Sequence, residues 1–307
     1  MKPRALGIPS LAVLTPAQEG RPTPEILAAY AECKRLTRKS GSSFTSAFWM
    51  LPRVKRRALH AIYAFCRLSD DIADDPCVAG DRAKLLGRWR DELEAAYRGR
   101  AEHLVGVALG DAARRFQLPQ REFSDLLLGV EFDLRGDPVE TWEDLERYCD
   151  RVASTVGRLV VRVLGYRNPR TLEYARTLGI AVQLTNVLRD VGEDAAEGRI
   201  YLAGEDLERF GVHPDALRER RASDALRLLL ACYAERARLH YERAAQLLPE
   251  EDRAALRPAE AMGRIYRVLL DELQRKGFGS LDQTLRLSRR RRLAIAARVW
   301  LGFGARA

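Results

Sequence analysis

The longest uninterrupted apolar runs of this 307-residue chain fall far short of the roughly 18 residues that a membrane-spanning helix requires. Its five cysteines form no C-x-x-C pair and are odd in number, which argues against a disulfide framework or a structural zinc and favours a reducing compartment. The four histidines form neither H-E-x-x-H nor E-x-x-H, which argues against zincin and di-iron sites. The sequence contains no repeat of about 20 to 50 residues, so we do not expect a solenoid fold.

The composition is that of a folded domain, with 47% hydrophobic and 31% charged residues. The net charge of +9 is concentrated at the C-terminus, because residues 286–307 hold seven arginines and no acids. Subtracting these seven charges leaves only +2 for the rest of the chain. We therefore do not expect nucleic-acid binding.

The basic C-terminal segment supports two interpretations. Arginines followed by Trp300 and Phe303 are typical of an amphipathic segment that contacts an anionic membrane surface or a partner. The alternative is an ordinary terminal helix packed through Leu293, Ile295 and Trp300. We expect a cytoplasmic protein, with peripheral contact at the inner membrane surface as the consequence of the first interpretation.

The sequence predicts an all-α fold, because alternating β-branched runs are scarce and Ala, Leu, Arg and Glu dominate. Residues 1–24 contain five prolines, of which Pro3, Pro9 and Pro16 interrupt the apolar stretch, and are interpreted as a mobile leader rather than a signal peptide. Residues 25–285 form the main domain and 286–307 the basic tail. Short connections containing Gly or Pro separate the predicted helices. These helices cover about 25–39, 43–50, 53–74, 81–98, 102–116, 120–134, 141–164, 169–195, 204–210, 222–247 and 251–277.

Two polar stripes run along otherwise apolar helices and end in carboxylates one turn apart. The first has spacing i, i+4, i+7, i+11 and the second continues to i+15, so each occupies one helix face. The first stripe is Tyr63, Arg67, Asp70 and Asp74, and the second is Gly179, Gln183, Asn186, Asp190 and Asp194.

Carboxylates at i, i+4 repel each other, so a cation is expected to neutralise each pair. Their hard oxygen atoms favour Mg²⁺ or Mn²⁺, which bind together with substrate phosphate oxygens. Arg67 and Arg189 lie nearby and offer forked donors to a diphosphate. A single D-D-x-x-D motif is frequent on solvated helices, but two matching stripes about 120 residues apart predict a metal-binding mouth on an apolar cavity, suited to an isoprenoid diphosphate.

The same residues resemble the squalene/phytoene synthase family, from about Ser42 to about Trp300. The matching segments are SSFTSAFWMLPRVKRRALHAIYAFCRLSDDIADD, YCDRVASTVGRL, QLTNVLRDVGEDAAEGRIYL and AMGRIYRVLLDEL. The resemblance implies a single-domain isoprenoid-synthase-type helical bundle around a central apolar cavity. Ser154 and Ala203 depart from the glycine and proline that are common in the family at those positions.

The resemblance also implies roles for individual residues. Metal binding is implied for the two acidic pairs and for Asn186, and Tyr148 is implied to lie near the reacting carbons. Substrate or diphosphate contacts are implied for Ser43, Phe44, Tyr63, Arg67, Gln183, Asn186, Arg189, Tyr201 and Tyr266.

The implied activity is magnesium-dependent head-to-head condensation of two prenyl diphosphates, with Mn²⁺ as a substitute metal and no requirement for NADPH. We expect farnesyl diphosphate as substrate and presqualene diphosphate as product, with phytoene formation from geranylgeranyl diphosphate as the alternative. Two other functional classes are alternatives. One is a terpene cyclase or chain-elongating prenyltransferase, which the GRIYL segment disfavours. The other is a non-catalytic helical protein that binds membrane or nucleic acid.

Overall fold

The protein is described from a computed structural model that covers residues 21–39, 51–74, 80–220, 223–278 and 284–301. These residues form α-helices and no strand, so the all-α prediction is confirmed for the described part of the chain. The helices are α1 Pro24–Lys39, α2 Arg53–Asp74, α3 Arg82–Tyr97, α4 Leu104–Phe116, α5 Gln120–Arg135, α6 Trp142–Cys149, α7 Thr155–Leu164, α8 Arg170–Ala196, α9 Gly204–Phe210, α10 Pro214–Arg218, α11 Asp224–Leu247, α12 Glu250–Arg275 and α13 Arg289–Trp300.

Local capping explains several helix boundaries. Helix α6 begins with a capping box, in which the Thr141 side chain accepts from the Asp144 backbone N–H and the Asp144 side chain accepts from that of Thr141. Helix α5 ends at Gly136, whose φ of 65° is left-handed and favours glycine. Helix α10 was not predicted, because its five residues are too few to show a helical period.

The long helix α8 lies at the centre of the fold. It packs against α6, α7, α11 and α12, and its buried residues include Ile180, Leu184 and Leu188. One apolar core joins α1 to α5 and α7 with parts of α8, α11 and α12, and a second joins α6 with α8 to α12. Because α8 faces neighbours on several sides, it carries apolar residues around most of its circumference.

A π-helical turn at 150–154 separates α6 from α7, where the sequence predicted one continuous helix over 141–164. Two glycines allow this turn to approach its neighbours. A Cβ atom on Gly179 would lie 2.6 Å from Cα of Ser154, and one on Gly129 would lie 2.4 Å from Cγ1 of Val152. Ser154 fits this contact by donating its hydroxyl to the carbonyl of Arg176 at 2.8 Å. The turn brings Val152 and Ala153 to a cavity described below.

Helix α13 packs on α12, where Ala296 and Val299 are buried. Of the three residues that the sequence indicated, Trp300 lies near the guanidinium of Arg257 on α12 and Ile295 is half-buried, while Leu293 is 40% exposed. Arg291 forms an ion pair of 2.7 Å with Glu272. None of the helices in the described ranges combines the length and apolar character needed to cross a membrane.

Candidate active site

The first acidic pair lies at the C-terminal end of α2. Asp70 is solvent-exposed as a residue, although the protein packed around its carboxylate partly removes that group from water. This burial, and then the negative charges of Asp74 and Asp133, raise the pKa of Asp70 to about 8. Arg67 pairs with Asp71 at 2.6 Å. Asp70 therefore lies in an electronegative environment that favours a bound cation.

The second acidic pair lies near the C-terminal end of α8. Arg189 donates from Nε to Oδ1 of Asp190 at 2.7 Å and also interacts with the Tyr266 hydroxyl of α12. Burial and the charge of Asp190 raise the pKa of Asp194 to about 7. One acid of this pair thus has a directly paired arginine, while the other keeps a raised pKa although the charge of Arg199 lowers it.

Arg199 connects the two acidic helix ends. It follows α8 in the chain, but its guanidinium forms ion pairs with Asp74 of α2 and with Glu197. Arg199 also lowers the pKa values of Asp133 and Asp194. Arg199 lies in the GRIYL segment, where no local sequence pattern marks it as a site residue.

Asp133 on α5 lies between the two pairs and was missed from the sequence, since no local motif marks it. Its carboxylate raises the pKa values of both Asp70 and Asp194, so the two acidic ends face a common region. Tyr201 donates to its Oδ1 at 2.7 Å and Tyr148 to its Oδ2 at 3.2 Å. Burial raises the pKa of Asp133 to about 6 despite these hydrogen bonds.

The two tyrosine rings that bind Asp133 stack on each other. The centroids of Tyr148 and Tyr201 lie 4.8 Å apart with an angle of 22° between the rings, and Phe132 lies 5.5 Å from Tyr148. Tyr148 precedes the cavity-lining Val152 by four residues, or about one helical turn. Aromatic faces and a carboxylate are thus gathered next to the acidic ends.

An apolar cavity of about 220 Å³ extends inward between α2, α7, α8 and α12. Four predicted site residues line it, namely Tyr63, Gln183, Asn186 and Tyr266. Its other walls include Val156, Val160, Leu178 and Met262. A second, polar cleft of about 870 Å³ opens beside Asp74, Asp133 and Arg199. The predicted apolar cavity beside an acidic mouth is therefore present.

The structure brings together most of the residues that the sequence singled out. Asp133 lies near one carboxylate of each acidic pair, Asp70 and Asp194, and accepts hydrogen bonds from Tyr148 and Tyr201. Arg189, beside the second pair, contacts Tyr266, which lines the cavity. Arg67 points to Asp71 and its side chain is half exposed. Ser43 and Phe44 lie outside the described residues.

The donor set fits a divalent cation. The Oδ1 atom of Asn186 is buried without a hydrogen-bond partner, although its amide donates to Gln183 at 3.2 Å. In the part of the chain that the structure describes, no three His, Cys, Asp or Glu side chains form a complete metal site alone. Mg²⁺ is usually held by one or two carboxylates together with substrate phosphates, so such a site is completed by a diphosphate.

Comparisons with known proteins agree with this geometry. Residues 37–292 match the family model described as squalene/phytoene synthase. The chain is 37% identical over 258 residues to presqualene diphosphate synthase of Rhodopseudomonas palustris, covering 83% of this chain and 91% of that protein. It is 34% identical over 277 residues to 15-cis-phytoene synthase of Synechococcus elongatus, covering 86% and 90% respectively.

The fold agrees as well. A crystal structure of a dehydrosqualene synthase in complex with a ligand superposes with a TM-score of 0.81 at 33% identity, covering 92% of this chain and 99% of that one. Members of the matching family are prenyltransferases that join two prenyl diphosphates head to head. The protein is therefore a prenyltransferase and belongs to the squalene/phytoene synthase family.

Proposed function

We propose that this protein condenses two molecules of farnesyl diphosphate head to head, with Mg²⁺, to form presqualene diphosphate and free diphosphate. The observation that carries the proposal is the position of the apolar cavity, whose wall includes Gln183 and Asn186 one turn before the second acidic pair. A prenyl chain in this cavity would hold its diphosphate between the acidic helix ends. The relative from R. palustris supports this product.

Condensation of two geranylgeranyl diphosphates to phytoene is the second candidate. The relative from S. elongatus supports it at a similar level of identity, 34% against 37%. The two reactions share the diphosphate site and differ in the length of the prenyl chain. The apolar walls of the cavity, rather than the acidic residues, therefore determine the choice between them.

The residues around the mouth have distinct tasks. Asp70, Asp74, Asn186, Asp190 and Asp194 would hold the metal. A bound divalent ion would neutralise the charge that develops on the leaving diphosphate. Donors for the substrate oxygens would come from Arg67, Arg189, Tyr63, Gln183, Tyr266 and Tyr201, with Ser43 and Phe44 at the entrance.

Ionisation breaks the allylic C–O bond of one substrate and leaves a cation at C1. The apolar walls exclude water from this cation, and the ring of Tyr148 presents its electron-rich face. The double bond of the second substrate then attacks C1, and loss of a proton closes the cyclopropane. Burial raises the pKa of Tyr148, which already donates to Asp133, so the phenol stays neutral and the released diphosphate takes the proton.

Incubation of the purified protein with farnesyl or geranylgeranyl diphosphate tests the proposal. We expect Mg²⁺-dependent diphosphate release with farnesyl diphosphate, and a cyclopropyl diphosphate identified by mass spectrometry with or without NADPH. Mn²⁺ in place of Mg²⁺ tests the metal preference. A larger yield of phytoene supports the second candidate, whereas a cyclised or elongated product from one chain contradicts both.

We also propose that α13 contacts an anionic membrane surface. Arg290, Arg298 and Leu301 share the face turned away from the buried Ala296 and Val299, and Leu301 is 71% exposed. Each basic residue near an anionic surface contributes about 1 kcal/mol. We expect co-sedimentation with vesicles rich in phosphatidylglycerol and a large loss in Arg290→Glu/Arg298→Glu. Equal binding to neutral phosphatidylcholine vesicles, or no loss in the variant, contradicts this contact.

A further inference from the structure

The inner end of the apolar cavity adjoins a separate groove on the protein surface. This groove, of about 130 Å³, lies between α8, α11 and α12. The cavity and the groove share two lining residues, Tyr174 and Leu178, both on α8. These two side chains therefore form a partition between the interior space and the surface.

Of the two partition residues, Tyr174 lies farther from the acidic mouth, and Leu178 lies one turn nearer to it along α8. Asn186, Gln183, Gly179 and Ala175 follow one another along α8 on the cavity side, at successive turns. Tyr174 precedes Asn186 by 12 residues, which corresponds to about 18 Å along the helix. A chain whose head group binds near Asn186 extends towards Tyr174.

This depth separates the two prenyl chains under consideration. A fully extended chain advances about 1.2 Å per backbone bond, so one isoprene unit of four such bonds spans about 5 Å. Three units span about 15 Å and four about 20 Å on the same basis. The shorter chain fits in front of Tyr174, and the longer one collides with it.

The two partition residues are held in place by their neighbours. Tyr174 is only 3% exposed, and a Cβ atom on Gly263 of α12 would lie 2.9 Å from Cδ1 of Leu178. The groove behind them carries the charged residues Arg253, Glu260 and Arg267. A prenyl chain therefore gains nothing by displacing the partition, because it would enter a charged environment.

We propose that Tyr174 is the specificity-determining residue that limits the prenyl chain to three isoprene units, and that Leu178, one turn away on the same face of α8, is the side wall that supports it. This inference rests on the proposed condensation and deepens it, since it names farnesyl diphosphate as the substrate that the cavity selects. Tyr174 acts through the bulk of its ring, and its hydroxyl has no part in selection.

The test compares kcat/KM for geranylgeranyl and farnesyl diphosphates in the wild type and in Tyr174→Ala and Leu178→Ala. We expect the wild type to favour farnesyl diphosphate, and each variant to shift the ratio about tenfold or more towards the longer chain, since a single excluded methylene already contributes a factor of about ten or more. Tyr174→Phe keeps the ring, and we expect it to keep the wild-type ratio.

Leu109→Ala is the matched control, because Leu109 is fully buried in α4 away from this cavity. It loosens the core without enlarging the cavity and should leave the ratio unchanged. A wild-type preference for the longer chain, or an unchanged ratio in both Tyr174→Ala and Leu178→Ala, overturns the proposal. Leu178→Ala decides the matter if Tyr174→Ala does not fold.

Binding separates this inference from the proposed reaction. Dissociation constants for the unreactive thiolo analogues of both diphosphates report the cavity even without turnover. Absence of turnover with a chain-length shift in binding rejects the condensation and keeps the partition. Turnover of the wild type with no shift in any variant rejects the partition and keeps the condensation.

Discussion

The two acidic helix ends have the same spacing but are neutralised differently. In α8, Asp190 is paired by Arg189, its immediate neighbour in sequence. In α2, Asp74 is paired by Arg199, which lies 125 residues away. Each pair keeps one carboxylate, Asp70 or Asp194, whose pKa is raised by burial and by neighbouring negative charge. Each end thus combines one carboxylate that is paired with an arginine and one carboxylate whose raised pKa indicates an environment that favours a bound cation.

This difference shows how the two ends are joined. In α8, the arginine that pairs with Asp190 belongs to the same helix. In α2, Asp74 pairs with Arg199, which follows α8 in the chain. Arg199 contacts Asp74 and lies near Asp133 and Asp194, so a change there affects both ends.

Loss of one of the proposed metal-binding acids should have the largest effect. Asp70→Asn and Asp190→Asn each remove a charged ligand, so we expect diphosphate release to fall about 10³-fold, since electrostatic stabilisation of a leaving group contributes several kcal/mol. The measurement is Mg²⁺-dependent release from farnesyl diphosphate. Asp125→Asn, on the exposed side of α5, is the matched control. Near-normal turnover in either site variant would falsify the metal assignment.

Arg199→Gln should reduce kcat/KM about 10²-fold, because Asp74 loses its partner and the two ends lose their connection. Arg199→Lys should recover only part of this loss, since lysine cannot pair with two carboxylates through a planar fork. Steady-state kinetics over a range of Mg²⁺ concentrations measures both variants. Arg35→Gln removes an exposed ion pair on α1 and serves as control. If Arg199→Gln and Arg35→Gln behave alike, the connection has no functional role.

Asp133→Asn should lower kcat about tenfold with little change in KM, because the amide keeps only one acceptor oxygen for the hydroxyls of Tyr148 and Tyr201 and lacks the negative charge. Tyr201→Phe removes one of the same hydrogen bonds, so the double variant should show a coupling of about 0.5–3 kcal/mol. The measurement is a double-mutant cycle on kcat. Additive effects would show that Asp133 and Tyr201 act independently.

The smallest effect is expected in the N-terminal half of α2, away from its acidic end. His60 is buried there, and burial followed by the charges of Lys34, Arg56 and Arg38 lowers its pKa to about 4. Between pH 6.5 and 4 the unfolded chain binds this proton and the folded chain does not. The free energy of unfolding should therefore fall as pH drops through this window, by at most about 1.4 kcal/mol per pH unit.

Urea denaturation at several pH values measures this effect, with His60→Gln as the comparison. The variant should lose the part of the pH dependence that belongs to this imidazole, while the titration of the carboxylates remains. An identical pH dependence in both proteins rules out a depressed pKa at His60.

Local signals in the sequence predicted much of this structure. Breakers such as Gly136 and the Pro249 junction marked helix ends, and the spacing of the two stripes placed Asp70 with Asp74 and Asp190 with Asp194 on single faces. The π-helical turn was missed because its sequence continues the helical pattern on both sides. Tail packing through Ala296 and Val299 was missed because small residues give a weak periodic signal.

The departures from the family pattern also show the limits of local reasoning. Ala203 has an N–H group where proline is common, and this group donates to the hydroxyl of the buried Tyr233 at 2.8 Å. Ser154 uses its side chain to bind the carbonyl of Arg176, beside the close contact with Gly179. Neither partner could be identified before the helices were packed.

The sequence alone determined the helical fold, the acidic stripes and their chemical preference for a divalent cation, because these properties depend on residue type and on a fixed helical period. Only the tertiary structure decided that Arg199 pairs with Asp74, that Asp133 receives both tyrosines and that Tyr174 lies at the end of the cavity. Those contacts join residues far apart in the chain, and their energies depend on distance and burial, which no local pattern specifies.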